Sequence, residues 1–214
     1  MKIISIHIPK TGGTSFYHIL QQVYGANLSI SYKRRDIIPL LQNGVFHPPH
    51  LSPTTPVLHG HFYYSEIAKM HQRTDARIIC WLRDPIDRLI SNYYFFRAGL
   101  LNPSRNPLLY TKNKHRIQET LLEFAQRPEN RNRMSTFLAG LALDQLFFWG
   151  FQEDFESDIR CLGAMLKWPT IKMPHLNRRE DTDRKIASSL RSQLEMLNQQ
   201  DIELYQKLRK RERK

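Results

Sequence analysis

Isoleucines at positions 4, 6 and 8 alternate with other residues and predict an N-terminal β-strand with one strongly apolar face. A polar turn, Pro9-Lys-Thr-Gly-Gly-Thr-Ser15, follows the strand, and an apolar helical pattern runs from roughly Ser15 to Tyr24. Beyond a basic stretch (Tyr32 to Asp36) and a proline-rich loop, Val57 to Phe62 reads as a short strand. Ser65 to Gln72 reads as a brief helix with Ser65 as N-cap. The unbroken apolar run Arg77 to Leu82 predicts a central strand buried on both faces, as parallel strands are. Asp84 as N-cap and Pro85 at the first helical position then open a helix to about Arg97. Gly99 to Lys114 has loop composition, and helical patterns return at Ile117–Gln126 and Met134–Ala142. Leu146 to Phe151 is another apolar strand, followed by a helix from Glu153 to Leu166 and an ordered loop at Pro174 to Arg179. Helices over Asp183–Leu197 and Asp201–Arg209 precede a basic, solvated tail at 209–214. Strands alternating with helices predict an α/β fold whose central, mainly parallel β-sheet is flanked by helices, in a single domain over 1–214.

Composition adds a sign of charge. Against 20 Asp and Glu stand 32 Lys and Arg, a formal net charge of +12 that favours anionic partners without choosing among them. The two cysteines, Cys80 and Cys161, lack a partner at metal-ligand spacing and read as buried thiols of a reducing compartment. No run of 18 apolar residues predicts a membrane span, and the first strand begins where a signal peptide would lie, so a cytoplasmic protein is expected.

Two segments carry chemistry. In the first, a strand, a glycine turn and a helix start form an anion cradle. Gly12 and Gly13 let backbone N–H groups converge, the helix N-terminus adds partial positive charge, Thr14 and Ser15 offer hydroxyls, and Lys10 offers a full charge. Lys10 precedes the glycines, whereas a Walker A lysine follows them, and no Rossmann fingerprint is present. The second segment, Arg83-Asp-Pro-Ile-Asp-Arg-Leu-Ile-Ser-Asn-Tyr93, lies at the carboxyl end of a predicted strand, the edge where open α/β sheets bind ligands. Arg83 can grip a phosphate bidentately, and Arg88, Ser91 and Asn92 share a helix face. An Arg83–Asp87 pair beside an ordinary helix cap is the plainer alternative.

His7-Ile-Pro-Lys-Thr-Gly-Gly-Thr-Ser15 together with Leu82-Arg-Asp-Pro-Ile-Asp-Arg-Leu-Ile-Ser-Asn-Tyr93 resembles the carbohydrate sulfotransferases of the heparan sulfate 2-O/6-O type. Weaker echoes extend over His59-Gly-His61, Phe148 to Phe155, Pro174-His-Leu-Asn177 and Asp201 to Tyr205. The resemblance implies a three-layer, P-loop-like fold and 3′-phosphoadenosine-5′-phosphosulfate (PAPS) as donor, with 3′,5′-ADP as product and no metal. It implies that Lys10 contacts the sulfuryl-bearing phosphate, that Thr11, Gly12, Gly13, Thr14 and Ser15 bind the 5′-phosphate, and that Arg83 and Ser91 hold the 3′-phosphate. Membrane-anchored members carry a transmembrane stem absent from this sequence, which points to a soluble bacterial or viral type and away from a heparan-like substrate. A carbohydrate or glycolipid hydroxyl is the first acceptor expected, an anionic one being compatible with the charge, and tyrosine or a small alcohol is the alternative.

His59 and His61 lie two apart on a predicted strand and so point to one face. Either suits removal of a proton from an alcohol; the resemblance, not the spacing, favours His61 as base. His7 reads as a hydrogen-bonded structural histidine. The cluster Tyr93-Tyr-Phe-Phe96 reads either as core or as a sugar-stacking surface, and basic segments such as Lys33-Arg34-Arg35 as a groove for an anionic glycan or a plain solvated face. Two rival functions are a P-loop-like small-molecule kinase, which lacks a strand-end Asp for Mg²⁺, and a basic nucleic-acid-binding protein, for which no recognition motif appears.

Overall fold

The computed structural model describes residues 2–25, 28–48, 55–104, 106–173 and 186–213. Its first half runs β1 (Ile3–Ile6), α1 (Gly13–Tyr24), β2 (Leu28–Tyr32), α2 (Arg34–Ile37), β3 (Leu41–Gln42), β4 (Val45–Phe46), β5 (Val57–Gly60), α3 (Tyr64–Thr74) and β6 (Arg77–Leu82). Then come α4 (Pro85–Leu101), α5 (Pro107–Asn113), α6 (Leu121–Gln126), α7 (Arg133–Leu138), β7 (Leu146–Phe151), α8 (Phe155–Leu166), α9 (Ser188–Leu197) and α10 (Gln199–Arg209).

Five strands form one sheet in the order β2–β5–β1–β6–β7, and each neighbouring pair is parallel. Parallel neighbours need crossovers, so helices cover both faces. On one face Ile4, Ile6, Leu58, Ile78 and Cys80 pack with Ile67 of α3 and with Met134 and Phe137 of α7. On the other, Ile3, Val57, Ile79, Trp81 and Phe148 pack with Phe16 and Leu20 of α1 and with Phe155 and Ile159 of α8. A third cluster away from the sheet joins α4, α6 and α9 through Ile86, Leu89, Phe124 and Leu194. The expected α/β architecture with a parallel central sheet is the one found.

Several local expectations give way to tertiary context. β2 is not among the expected strands, although Leu28, Ile30 and Tyr32 alternate with serines; it is an edge strand, paired with β5 alone and with a register shift. The helix start expected at Ser65 lies at Tyr63, whose N–H is accepted by the Glu66 carboxylate at 3.0 Å. Most of the loop expected over Gly99–Lys114 is helical: α4 runs on to Leu101, and α5 is capped by Asn106 with Pro107 in its first turn. Cys161 is an exposed thiol, whereas Cys80 is buried as expected. The basic tail is anchored rather than frayed. Arg209 stacks over Phe151 at 3.9 Å and pairs with Asp154 and Glu153, and Arg213 pairs with Asp158. The expected loop at Pro174 to Arg179 lies outside the described residues.

Near the third cluster, Arg88 of α4 and Asp201 of α10 are buried 4.0 Å apart. Asp201 also accepts the backbone N–H groups of Met134 (3.0 Å) and Ser135 (2.7 Å), capping α7 from another element. Removing one partner of a buried pair strands the other charge without compensation. Asp201→Ala is therefore expected to lower stability by about 3–5 kcal/mol. Urea unfolding with an unchanged m-value checks this; a loss of only a few tenths would show the pair to be inconsequential.

Candidate active site

β1 is the middle strand and pairs on both sides, Ile6 standing opposite Gly60 of β5 and Cys80 of β6. The segments leaving these three strands, Ile8 to Ser15, His61 to Tyr63 and Arg83-Asp84, therefore share one edge of the sheet. Lys10 takes a left-handed backbone with φ 73°, a conformation costly for a residue with a Cβ, and Gly12 follows with φ 89°. The turn is closed from within. Thr11 is fully buried, and its hydroxyl donates to the Ile8 carbonyl at 2.9 Å. That hydroxyl supports the turn instead of facing a ligand, so only the backbone of Thr11 is left for the expected anion contact. Thr14 is exposed and Ser15 half-buried in the first turn of α1.

Arg83 reaches into the turn from β6, its Nη1 donating to the Lys10 carbonyl at 3.5 Å. The guanidinium is buried, which lowers its pKa from the ordinary value, while the carboxylates of Asp87, Glu153 and Asp84 act in the opposite direction. Asp84 caps α4 as expected, accepting from the N–H groups of Ile86 and Asp87 at 3.0 Å each. Its own N–H donates to Glu153 at 2.7 Å, and Arg191 approaches its carboxylate at 3.8 Å. Ser91 lies on α4, half-buried and without a hydrogen bond among the described residues. Arg88, on the same helix, is turned into the protein interior, where it meets Asp201. Lys10 Nζ rests over the Phe95 ring at 4.4 Å. Phe95 is exposed, whereas Tyr93 is buried, donates from its hydroxyl to the Glu119 carbonyl at 2.9 Å and packs on Phe124. The aromatic run is thus mostly core.

Three imidazoles gather beside the turn. His59 is fully buried, with Nδ1 2.9 Å from the Ser5 hydroxyl. His61 is partly exposed, and its Nδ1–H donates to the His7 carbonyl at 2.7 Å. A proton held there leaves the Nε2 lone pair free. His7 stacks between them, its ring 4.1 Å from that of His61 and 5.1 Å from that of His59. Contrary to the sequence expectation, the His7 ring makes no hydrogen bond among the described residues, and its Nδ1 is enclosed without a partner. The reason for glycine at position 13 becomes visible here: a Cβ would lie 1.8 Å from His7 Nε2. Sequence reasoning missed His7 because the contact joins a strand residue to a helix start through tertiary packing. The rings lie face to face, and no group of His, Cys, Asp or Glu among the described residues could hold a metal ion.

A cationic rim borders His61. Arg34 grips Glu66 bidentately (2.7 and 2.6 Å) and lies over the Tyr63 ring, while Arg133 donates to the Tyr63 hydroxyl at 3.3 Å. Burial lowers the His61 pKa; the hydrogen bond to the His7 carbonyl opposes that shift, and the nearby charges of Arg133, Arg34 and Lys33 add to it. In the sequence Lys33 and Arg34 read either as part of a groove for an anionic glycan or as a solvated face, and Arg133 carries no signal there.

A model of the family described as the sulfotransferase domain matches residues 2–140. The chain belongs to this family. Heparan sulfate 2-O-sulfotransferase 1 of Homo sapiens is 33% identical over 107 residues, which cover 46% of this chain and 30% of that protein. The Mus musculus protein of the same name is 32% identical over 105 residues, covering 45% and 30%. The matched stretch is thus under a third of the length of these relatives. A sulfotransferase from Alicyclobacillus acidocaldarius has the same fold, with a TM-score of 0.52 over 99% of this chain and 97% of that chain at 19% identity.

The three histidines give this sulfotransferase-family chain a pH signature. Burial holds His7 well below, His61 below, and His59 at about 3 against an ordinary 6.5. The folded chain keeps them neutral while the unfolded chain takes up protons, so their contribution is complete above about pH 6.5 and shrinks as pH falls toward the folded values. Each group should cost about 1.4 kcal/mol of stability per pH unit in its window. Urea unfolding at about pH 7.5, 6 and 5 measures the slope, and His59→Asn should flatten it. A slope untouched by that change would contradict the assignment.

Proposed function

We propose that this chain moves the sulfuryl group of PAPS to a hydroxyl of a carbohydrate, with Lys10 and His61 as catalytic residues. The supporting observation is the Arg83 guanidinium reaching the Lys10 carbonyl across the β1–β6 edge, because it brings the two anion-binding segments to one crevice. In this reading the backbone N–H groups from Thr11 to Ser15 and the hydroxyls of Thr14 and Ser15 bind the 5′-phosphate, while Arg83 and Ser91 hold the 3′-phosphate. The acceptor hydroxyl gives its proton to His61 Nε2 as its oxygen attacks sulfur. A new O–S bond forms, the bond from sulfur to the bridging oxygen breaks, and the electron pair stays on the 5′-phosphate of departing 3′,5′-ADP. Lys10 and the turn amides stabilise the charge growing on the bridging oxygen, as positioned donors do in related in-line transfers.

A polysaccharide or glycolipid acceptor fits the names of the 2-O-sulfotransferase relatives and the rim of Lys33, Arg34 and Arg133 around His61. We read the chain as one domain over 1–214, since β7 joins the same sheet and α10 caps α7. A cytoplasmic setting belongs to the same reading and agrees with two free cysteines. No helix of the described residues is long and apolar enough to cross a membrane.

Transfer of labelled sulfate from PAPS to a panel of glycans tests the reading, alongside thermal shift with 3′,5′-ADP and with ATP and Mg²⁺. Stabilisation by ATP and Mg²⁺ alone would favour the kinase instead. Lys10→Ala is expected to lower turnover by about 10²–10³ and His61→Ala by about 10²–10⁴, without unfolding the protein. Wild-type turnover in either variant would refute the role assigned to it. Arg83→Ala should weaken PAPS more than adenosine-5′-phosphosulfate, which lacks the 3′-phosphate; equal weakening of both would remove Arg83 from the 3′-phosphate site.

A further inference from the structure

The His7 imidazole stands at this edge with neither ring nitrogen in a hydrogen bond among the described residues. It is wedged between the rings of His59 and His61 and against the start of α1, where it fills the space of the missing Gly13 side chain. An imidazole kept in such a place without a hydrogen bond among the described residues calls for a partner beyond them. Its two nitrogens are not equivalent. Nδ1 is enclosed with no acceptor in reach, and an orphaned buried N–H is rarer and costlier than an orphaned acceptor. The ring proton therefore belongs on Nε2, the nitrogen that lies against Gly13 in the anion cradle. The exposure that His7 retains is accordingly not at Nδ1.

We propose that His7 is a third catalytic residue, a neutral imidazole whose Nε2–H donates a hydrogen bond to an oxygen of the sulfuryl group as it passes from donor to acceptor. This rests on the function proposed above and adds a contact to it. His7 moves no proton. His61 takes the hydroxyl proton, the acceptor oxygen gains the sulfur, and the bridging oxygen keeps the electron pair, while the His7 N–H tracks the sulfuryl oxygens throughout. Burial and the neighbouring His59 and His61 favour the uncharged ring, which suits a donor that must not bind free phosphate or sulfate as a cation would. The glycine at 13 then has a functional reason, since a methyl group there would push the imidazole away.

The test separates the ring from its nitrogen. His7→Phe keeps the stacking surface and loses the donor, whereas His7→Gln places an amide N–H at about the reach of Nε2. Affinity for 3′,5′-ADP, which has no sulfuryl group, should change by no more than about twofold in His7→Phe, while kcat for sulfate transfer falls about 10²-fold. His7→Gln should regain at least about tenfold of that loss. Should His7→Phe fail to fold, His7→Met replaces it, being as long as Gln and without an N–H. Full activity in His7→Phe, or a Gln variant no better than Phe or Met, overturns the role of His7 and leaves the proposed function standing. A wild-type chain that neither binds 3′,5′-ADP nor transfers label overturns that function and this proposal together.

Discussion

The pairing of β1 on both sides is the constraint from which the site follows. A strand hydrogen-bonded to β5 and to β6 in parallel register has its carboxyl end flush with theirs, so three segments far apart in sequence must leave the sheet side by side. The glycine turn, the histidine pair and the Arg83–Asp84 corner owe their proximity to backbone pairing, and side chains only refine it. The 2.7 Å bond from His61 to the His7 carbonyl and the 3.5 Å bond from Arg83 to the Lys10 carbonyl both end on backbone oxygens of the β1 segment. His61 and Arg83 are thereby referenced to the same short piece of chain.

Around this edge the fold keeps charge apart in a useful way. The histidines stack on one another and burial favours their neutral forms, while cations stand on either side: Lys10 and Arg83 at the glycine turn, Arg34 and Arg133 at the rim. Carboxylates near Arg83 support the corner. Glu153 accepts the Asp84 N–H, and Arg209 of α10 reaches Glu153 in turn, so α10 braces the Arg83–Asp84 corner at one remove.

The parts of this architecture governed by nearest neighbours were legible in the sequence. β6 and β7 are continuous apolar runs because both faces are covered, and the Asp84-Pro85 start of α4 is written in two residues. What stayed hidden depends on partners distant along the chain. β2 shows its apolar alternation over five residues only, Leu28 to Tyr32, and as an edge strand it is fixed by pairing with β5 alone. The cap on α7 comes from Asp201, more than sixty residues away, and the tail is tied down by aromatic and acidic groups of β7 and α8. At the site, the glycines, Lys10, Arg83 and the histidine pair could be named from type and spacing. The buried hydroxyl of Thr11 and the wedge of His7 against Gly13 could not, since each is a matter of which way a side chain turns.

The order of the strands has a consequence for how the molecule comes into being. The earliest of the described strands is the one that ends in the middle of the sheet, and contacts at its tip span 54 residues to His59 and His61 and 73 to Arg83. Until Arg77–Leu82 has been synthesised, an apolar isoleucine ribbon has at least one unpaired edge, a topology that folds slowly and exposes strand edges to neighbouring chains. The glycine turn, though it follows the earliest of these strands, is in this sense among the late structures.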